Sequence, residues 1–256
     1  MKLRIRSSSC APLFLGDDGL TDIQLAKLSE LKSKIKLTEA QARERDKLEL
    51  KQDSVELSAG AKTLIEEIID RQIYKYEENF SNSKTQKGWD VEAESCEIYN
   101  RIFFTSYHKQ ESFDNFYELE YGISGGHPDV VDCERRRVID LKSSWSKKTF
   151  PKTVKKAYDS GYEWQVKHYL YMLTKMTGED WSDGEIAFIL TTTPEALKPE
   201  YEHDSLHYME DLNDELRATI VPVKLTSDDI VKMDKRLAAA EKYANEYYNL
   251  LKSKNK

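Results

Sequence analysis

Two acids and a lysine close together suggest chemistry first. Gly126-His127-Pro128-Asp129-Val130-Val131-Asp132 is followed, after the charged run Glu134–Arg137, by Val138-Ile139-Asp140-Leu141-Lys142. Side chains two apart on a strand share a face, so Asp140 and Lys142 point together while Leu141 turns to the apolar side. A carboxylate and an ammonium among Val, Ile and Leu are costly to desolvate unless each has a partner. A hard divalent cation suits the carboxylates: Mg²⁺ takes oxygen ligands, keeps several waters and leaves room for phosphate oxygens. A neighbouring lysine then orients the attacking water or helps deprotonate it. Alone, Asp-Leu-Lys on a strand reads as a structural ion pair.

Two further features favour chemistry. Gly88-Trp89-Asp90-Val91-Glu92 falls in a helical stretch and supplies a third carboxylate in Glu92. Downstream, Tyr158, Tyr162, Gln165, Tyr169 and Leu173 fall on one helix face. Gln165 is a polar group in that stripe, and a buried amide needs a hydrogen-bond partner. Lys142 or a substrate phosphate would serve, and Tyr169 shares the face one turn on. Asp90, Glu94 and Asp132 are rival carboxylates. Asp132, three residues from Asp129, faces the opposite side of a regular strand unless a bulge intervenes.

Charge is distributed unevenly. The 256 residues carry 39 basic and 46 acidic side chains, a net charge of −7, which argues against a nonspecific nucleic-acid coat protein. Yet from Leu141 to Tyr158 there is no acid. That window holds Lys142, Lys147, Lys148, Lys152, Lys155 and Lys156, interleaved with Trp145, Phe150 and Tyr158. Placed after the acid-bearing strand, it suits a phosphate backbone, with aromatics that stack on bases. The competing reading is a solvated lysine face over buried aromatics.

These residues need a mixed scaffold to position them, and an α/β class is expected. Residues 1–19 read as an N-terminal segment ending in a Gly16–Gly19 turn. Residues 20–53 read as a charged helical hairpin, with Thr21–Gln24 and Thr38–Gln41 as capping boxes and Leu25, Leu28, Leu31 and Ile35 as its stripe. Residues 54–256 form the core. There, helices are expected from near Ser58 (Leu64, Ile65, Ile68, Ile69 and Ile73 inward) and over 84–106, 152–176 and 203–217. Strands are expected at 117–123, 128–133, 137–142, 185–192 and 220–225, with a turn at Gly125-Gly126. Pro222 restricts the last strand to an edge. Ile230, Met233, Leu237, Ala240, Ala244, Tyr247 and Leu251 mark a final helix packed against the sheet.

Other classes are less well supported. No apolar run approaches the roughly 20 residues that span a bilayer, and residues 2–20 lack a secretory core. Cys10, Cys96 and Cys133 form no Cys-x-x-Cys pair, which points to a reducing cytoplasm and to small core residues for Cys96 and Cys133. His127, His168, His203 and His207 show no His-Glu-x-x-His pattern and read as surface or capping residues. No Ser/His/Asp arrangement surrounds Ser8, Ser9 or Cys10.

Taken together, the motifs resemble the PD-(D/E)XK nucleases, in particular the lambda-exonuclease / YqaJ-like viral recombinase group. Pro128-Asp129 before Asp140-Leu141-Lys142 matches the core motif, Gly88 with Glu92 the G-x-x-x-E motif, and Gln165 with Tyr169 the Q-x-x-x-Y motif. Ile5-Arg6-Ser7-Ser8-Ser9 is similar to the Arg/Ser segment that approaches a terminal 5′-phosphate in phage exonucleases. The resemblance implies a restriction-endonuclease-like core: a mixed central sheet flanked by helices. It implies Asp129, Asp140 and the Leu141 carbonyl as ligands of Mg²⁺, with Mn²⁺ as substitute, and Glu92 on a second metal or a metal-bound water. Lys142 would position the water, Gln165 hold Lys142 or the scissile phosphate, and Tyr169 support that face. Arg6, Ser8, Ser9, Trp145, Lys147, Lys148, Lys152 and Lys155 would contact DNA. The implied activity is 5′-to-3′ digestion of linear duplex DNA ends in a bacterial or phage-infected cell, leaving 3′ overhangs. Its implied partners are a single-strand annealing protein and further copies of the chain. The alternatives are a structure-specific or restriction-type endonuclease of the same fold, and a non-catalytic DNA-end-binding protein. Three scattered cysteines argue against a four-cysteine iron–sulfur branch.

Overall fold

The structure is a computed structural model that describes residues 3–15, 22–34, 36–53, 55–77, 82–111 and 114–253. The chain divides into two compact units. One comprises Met1–Leu3, Pro12–Tyr74 and Ile230–Lys256, and the other Arg4–Ala11 and Lys75–Asp229.

The first unit is helical. Helices α2 (Asp22–Ser33) and α3 (Glu39–Asp53) share a small cluster of Leu28, Leu31 and Leu48 with Leu37 against it. The capping box at the start of α3 is reciprocal: Gln41 N–H donates to Thr38 Oγ1 and Thr38 N–H to Gln41 Oε1. The other box, the Gly16–Gly19 turn and Ile35 lie outside the described residues, as does the Leu25 side chain. Helix α4 (Ala59–Tyr74) starts where Ser58 Oγ accepts from Ala61 N–H, and it buries Ala61, Ile65 and Ile69 at steps of four. The long helix α9 (Ser227–Ser253) buries Met233, Leu237, Ala240 and Ala244. In its second half Tyr243 donates to Glu66 and Tyr247 to Asp70, both on α4. Tyrosines placed among the apolar positions need acceptors, and α4 offers carboxylates.

The second unit holds two mixed sheets, as the α/β expectation requires. In the small one, β1 (Ile5–Arg6) runs parallel to β3 (Ser124–Gly126), and β2 (Leu119–Tyr121) runs antiparallel to β3. Helix α1 (Ala11–Phe14) follows the 3-10 turn Ser7–Ser9. The larger sheet has the order β4 (Val130–Asp132), β5 (Arg137–Ser144), β6 (Asp183–Leu190) and β7 (Ala218–Lys224), with only the β5–β6 pair parallel. Pro222 lies in edge strand β7 opposite Glu185, where its missing N–H breaks no outer ladder.

Helix α6 (Glu92–Phe103) covers one face of this sheet, with Cys96, Ile98 and Tyr99 packed on Ile139, Leu141, Ala187 and Ile189. Helix α8 (Ser160–Thr177) covers the other and also touches the small sheet and the Ser7–Ser9 turn. Enclosed on two sides, it buries ten consecutive residues, Trp164 through Leu173. A helix enclosed this way has no solvent face to keep polar.

Four sequence expectations need correction. The stretch 84–106 is two helices, α5 (Ser83–Asp90) and α6, broken where Val91 leaves helical geometry (φ −112°, ψ 12°). The stretch 152–176 is also two, α7 (Val154–Ala157) and α8, because Asp159 caps a new start by accepting from Gly161 and Tyr162 N–H. Residues 203–217 hold only 3-10 turns. Gly125 and Gly126 do not turn the chain. They lie inside β3, and the turn comes at Gly122, with φ +58°. A Cβ on Gly126 would stand 2.6 Å from Ser7 Oγ and 2.8 Å from Tyr169 Cε1, so close packing is what requires glycine there.

Candidate active site

Alternation along β5 separates two environments. Ile139 and Leu141 face the apolar cluster under α6, while Asp140 and Lys142 face α8. Strand β4 stops pairing at Val130, opposite Ile139. One residue further, the Asp129 side chain takes the place of the ladder, and its Oδ2 accepts the Leu141 N–H at 2.7 Å. Because N–H and C=O of a strand residue point the same way, the Leu141 carbonyl opens on the same edge. Glu92 stands in the first turn of α6, where the helix N-terminus favours an acid.

The side chains meet as follows. Lys142 Nζ lies 2.7 Å from Asp140 Oδ2 and donates to Gln165 Oε1 at 3.4 Å. Gln165 Nε2 donates to Asp140 Oδ1 at 2.9 Å and to the Tyr169 hydroxyl at 3.3 Å. Tyr169 in turn donates to the His127 carbonyl at 2.9 Å, which ties α8 to the approach to Asp129. Glu92 pairs with Lys109, and its charge acts on Asp129 beside it.

Burial pushes the Asp129 carboxyl well above the usual range, and the Asp140 charge beside it adds to this. Asp140, 1% exposed, is raised by burial too, against the pull of Lys142. Burial opposes the Lys142 charge, but Asp140 and Asp129 outweigh it and hold the ammonium above its ordinary value. Repelling acids that resist ionisation are what a cation would relieve.

The donor set suits a hard divalent ion: carboxylate oxygens with a strand carbonyl. Asp140 Oδ2 is buried and accepts no hydrogen bond, since Lys142 approaches it off the hydrogen-bonding direction. Among the described residues no three His, Cys, Asp or Glu side chains form a ready-made metal cage. The acids stand as electrostatic neighbours, with Lys109 on Glu92 and Lys142 on Asp140.

A cavity of about 640 Å³ opens over this group. Glu92, Asp129, Leu141 and Lys142 line one part, and the remaining walls include Lys84, Lys156, Trp89, Trp145, Tyr158 and Tyr162 together with Asp159. Trp89 is 60% and Tyr158 58% exposed, and Lys142 Nζ lies 4.8 Å over the Tyr162 ring. Lys87 seals the floor behind Trp145. Fully buried on α5, it donates to the carbonyls of Ser144 (2.7 Å), Trp145 (3.0 Å) and Thr191 (2.8 Å), and burial lowers it to about 8.

The predicted DNA contacts divide. Trp145 lines the cavity with its ring edge on His207. Lys147 pairs with Asp211, and Lys152 donates to the Lys147 carbonyl. Lys148 and Lys155 are exposed away from the cavity lining. Arg6 and Ser8 are exposed, and Ser9 donates to the Arg6 carbonyl. Ser7, packed on Gly126 beside Tyr169, lies 3.0 Å from His168 Nδ1.

The rival acids lie elsewhere. Asp132 accepts from Tyr107 and Arg135, Asp90 accepts from Gln86, and Glu94 faces Arg217. His203 caps a turn as expected, but His168 and His207 are buried, and burial pushes His168 down to about 3. Cys96 is core, whereas Cys133 is exposed in the β4–β5 turn. Lys84, Lys87, Lys109, Trp89 and Tyr162 were not singled out for the site. Lys84 and Gly88 do stand one helical turn apart ahead of Glu92, a signal that spacing alone offered.

No known protein-family profile and no curated protein matches the sequence. Solved structures do. A phage-related exonuclease from Haemophilus somnus 129PT superposes with TM-score 0.74 at 20% identity, over 98% of this chain and 97% of that one. An alkaline exonuclease from Laribacter hongkongensis superposes with TM-score 0.58 at 13% identity, over 98% and 93%. Its complex with dAMP gives TM-score 0.54 at 14% identity, again over 98% and 93%. The chain therefore has the fold of these exonucleases across nearly its whole length.

Proposed function

We propose that this chain is a divalent-metal-dependent DNA exonuclease of the PD-(D/E)XK type, built on a restriction-endonuclease-like core. One observation carries the reading: Glu92, Asp129 and Lys142 border a cavity, with Asp140 beneath it, whose other walls hold free lysines and exposed aromatics. When bound through Asp129, Asp140, Glu92 and the Leu141 carbonyl, Mg²⁺ or Mn²⁺ supplies Lewis-acid stabilisation of the attacking and leaving oxygens.

The residues do the rest. Lys142 orients the attacking water, its ammonium held by Asp140 and Gln165. Gln165 fixes both the acid and the amine, and Tyr169 fixes Gln165 while tethering the His127 carbonyl. Lys84 and Lys156 neutralise backbone phosphates, and Trp89, Tyr158 and Tyr162 offer faces to bases. The Arg6–Ser9 segment, packed by Ser7 beside Tyr169, receives a terminal 5′-phosphate, which favours 5′-to-3′ digestion with 3′ overhangs. A mononucleotide product agrees with the dAMP held by the Laribacter enzyme. Work in recombination with an annealing protein, in a cytoplasm and as an oligomer, belongs to this reading. Among the described residues no helix is long and apolar enough to cross a membrane.

End-labelled linear duplex digested with and without Mg²⁺ tests the proposal. Metal-dependent loss of the 5′ label with closed circular DNA left intact is expected. Cutting of the circle would favour an endonuclease, and inert linear DNA would reject the activity.

A further inference from the structure

Lys109 joins the acid cluster from an irregular segment, yet its mount is firm. Asn100 on α6 donates from Nδ2 to the Tyr107 carbonyl at 2.7 Å, and its Oδ1 accepts from Tyr107 N–H at 2.9 Å and Thr105 Oγ1 at 2.8 Å. Three residues after Tyr107, Gln110 N–H donates to the Asp129 carbonyl at 2.8 Å. The lysine between these anchors places its ammonium on Glu92, within the field of Asp129. Lys142 is paired in a similar way with Asp140, but it is also held by Gln165 and by the Tyr162 ring. The Lys109 side chain is 38% exposed. Its single contact in the cluster, its flexible stem and its access to water allow it to leave.

We infer that Lys109 is the exchangeable counter-ion of the cation position: it neutralises Glu92 and Asp129 until a divalent ion displaces it, and so weakens the affinity for that ion. This rests on Glu92 and Asp129 being ligands. A monovalent ammonium and a divalent ion compete for the same carboxylate oxygens. The anchors at Asn100 and Asp129 keep the displaced ammonium nearby, so its repulsion persists in the loaded state.

The test is calorimetric titration of the full chain with Mn²⁺ alone, without DNA. Lys109→Met should bind about tenfold tighter than the parent chain, the scale of removing a unit charge from beside a divalent ion in a half-exposed site. Lys109→Arg should stay within about twofold of the parent, because the charge remains. Without metal, Lys109→Met should melt lower, and Mn²⁺ should raise its melting temperature more than it raises that of the parent. Lys109→Gln, which keeps a donor for Glu92 without charge, should bind as tightly as the methionine variant and covers the case in which methionine fails to fold. Unchanged or weaker binding by both neutral variants would mean that Lys109 only holds Glu92 in place, and would overturn the inference. Parent-chain heats that Asp129→Asn does not remove would instead overturn the metal reading itself, and the inference with it.

Discussion

Strand β5 presents Ile139 and Leu141 to α6 and Asp140 and Lys142 to α8, so adjacent residues of one strand live in unlike surroundings. On the α6 side the neighbours are Cys96, Ile98 and Tyr99, and the buried Glu185 at the edge of this cluster is held by the Tyr99 hydroxyl and by Arg137. On the α8 side an acid, an amine and an amide converge over a cavity, with one acid oxygen left without a hydrogen bond. Period-two alternation lets one strand separate cohesion from chemistry without a bulge or an insertion. Mutations on the two faces should therefore fail in different ways.

The largest contrast is in rate. Lys142→Ala should cut Mg²⁺-dependent digestion by about 10²–10⁴-fold while the fold persists, because the loss falls on water positioning. Digestion at the parental rate would remove Lys142 from the mechanism. One residue away, Leu141→Ala should cost about 2–5 kcal/mol in urea unfolding, because it opens a cavity against α6. Its rate per folded molecule should fall far less than that of Lys142→Ala, and an equal fall would dissolve the distinction between faces.

Tyr169→Phe should give a smaller effect of about 0.5–1.5 kcal/mol, as the links to Gln165 and the His127 carbonyl are lost. A rate drop beyond about a hundredfold would assign Tyr169 a direct role in the reaction.

The smallest effect has the opposite sign. The Asp129 carboxyl is raised above its unfolded value by burial first and then by Asp140. Its contribution to stability is therefore full below about pH 4 and is lost as pH rises through the folded value. Asp129→Asn keeps an oxygen for the Leu141 N–H but removes that penalty. It should be more stable than the parent near pH 8, with little difference near pH 4. Urea midpoints at the two pH values check this, and a less stable variant at pH 8 would contradict it.

Much of this was legible in the residues. The β5 alternation, the edge position of Pro222 and the Thr38 cap all follow from local rules, and each is present. The contact between Lys142 and Gln165 follows from the need of a buried amide for a partner. The helix breaks were harder. Val91 ends α5 without a glycine or proline, whereas Asp159-Ser160-Gly161 was a capping signal inside a stretch read as continuous. The Gly125-Gly126 pair shows a general ambiguity, since one sequence does not distinguish a glycine that turns from a glycine that is crowded. Lys87 and Lys109 carried no local signal, because their partners lie far along the chain, on other elements. The burial of His207 likewise depends on Thr193 and Glu202, which accept or share its ring protons from separate loops.

The enclosure of α8 has a consequence for motion. A helix covered by one sheet frays or detaches at modest cost, but the amides of Trp164 through Leu173 meet solvent only when both sheets part from it. Their exchange with deuterated water should therefore be the slowest in this unit and should track its global unfolding. Gln165 and Tyr169 then ride on the segment least able to breathe.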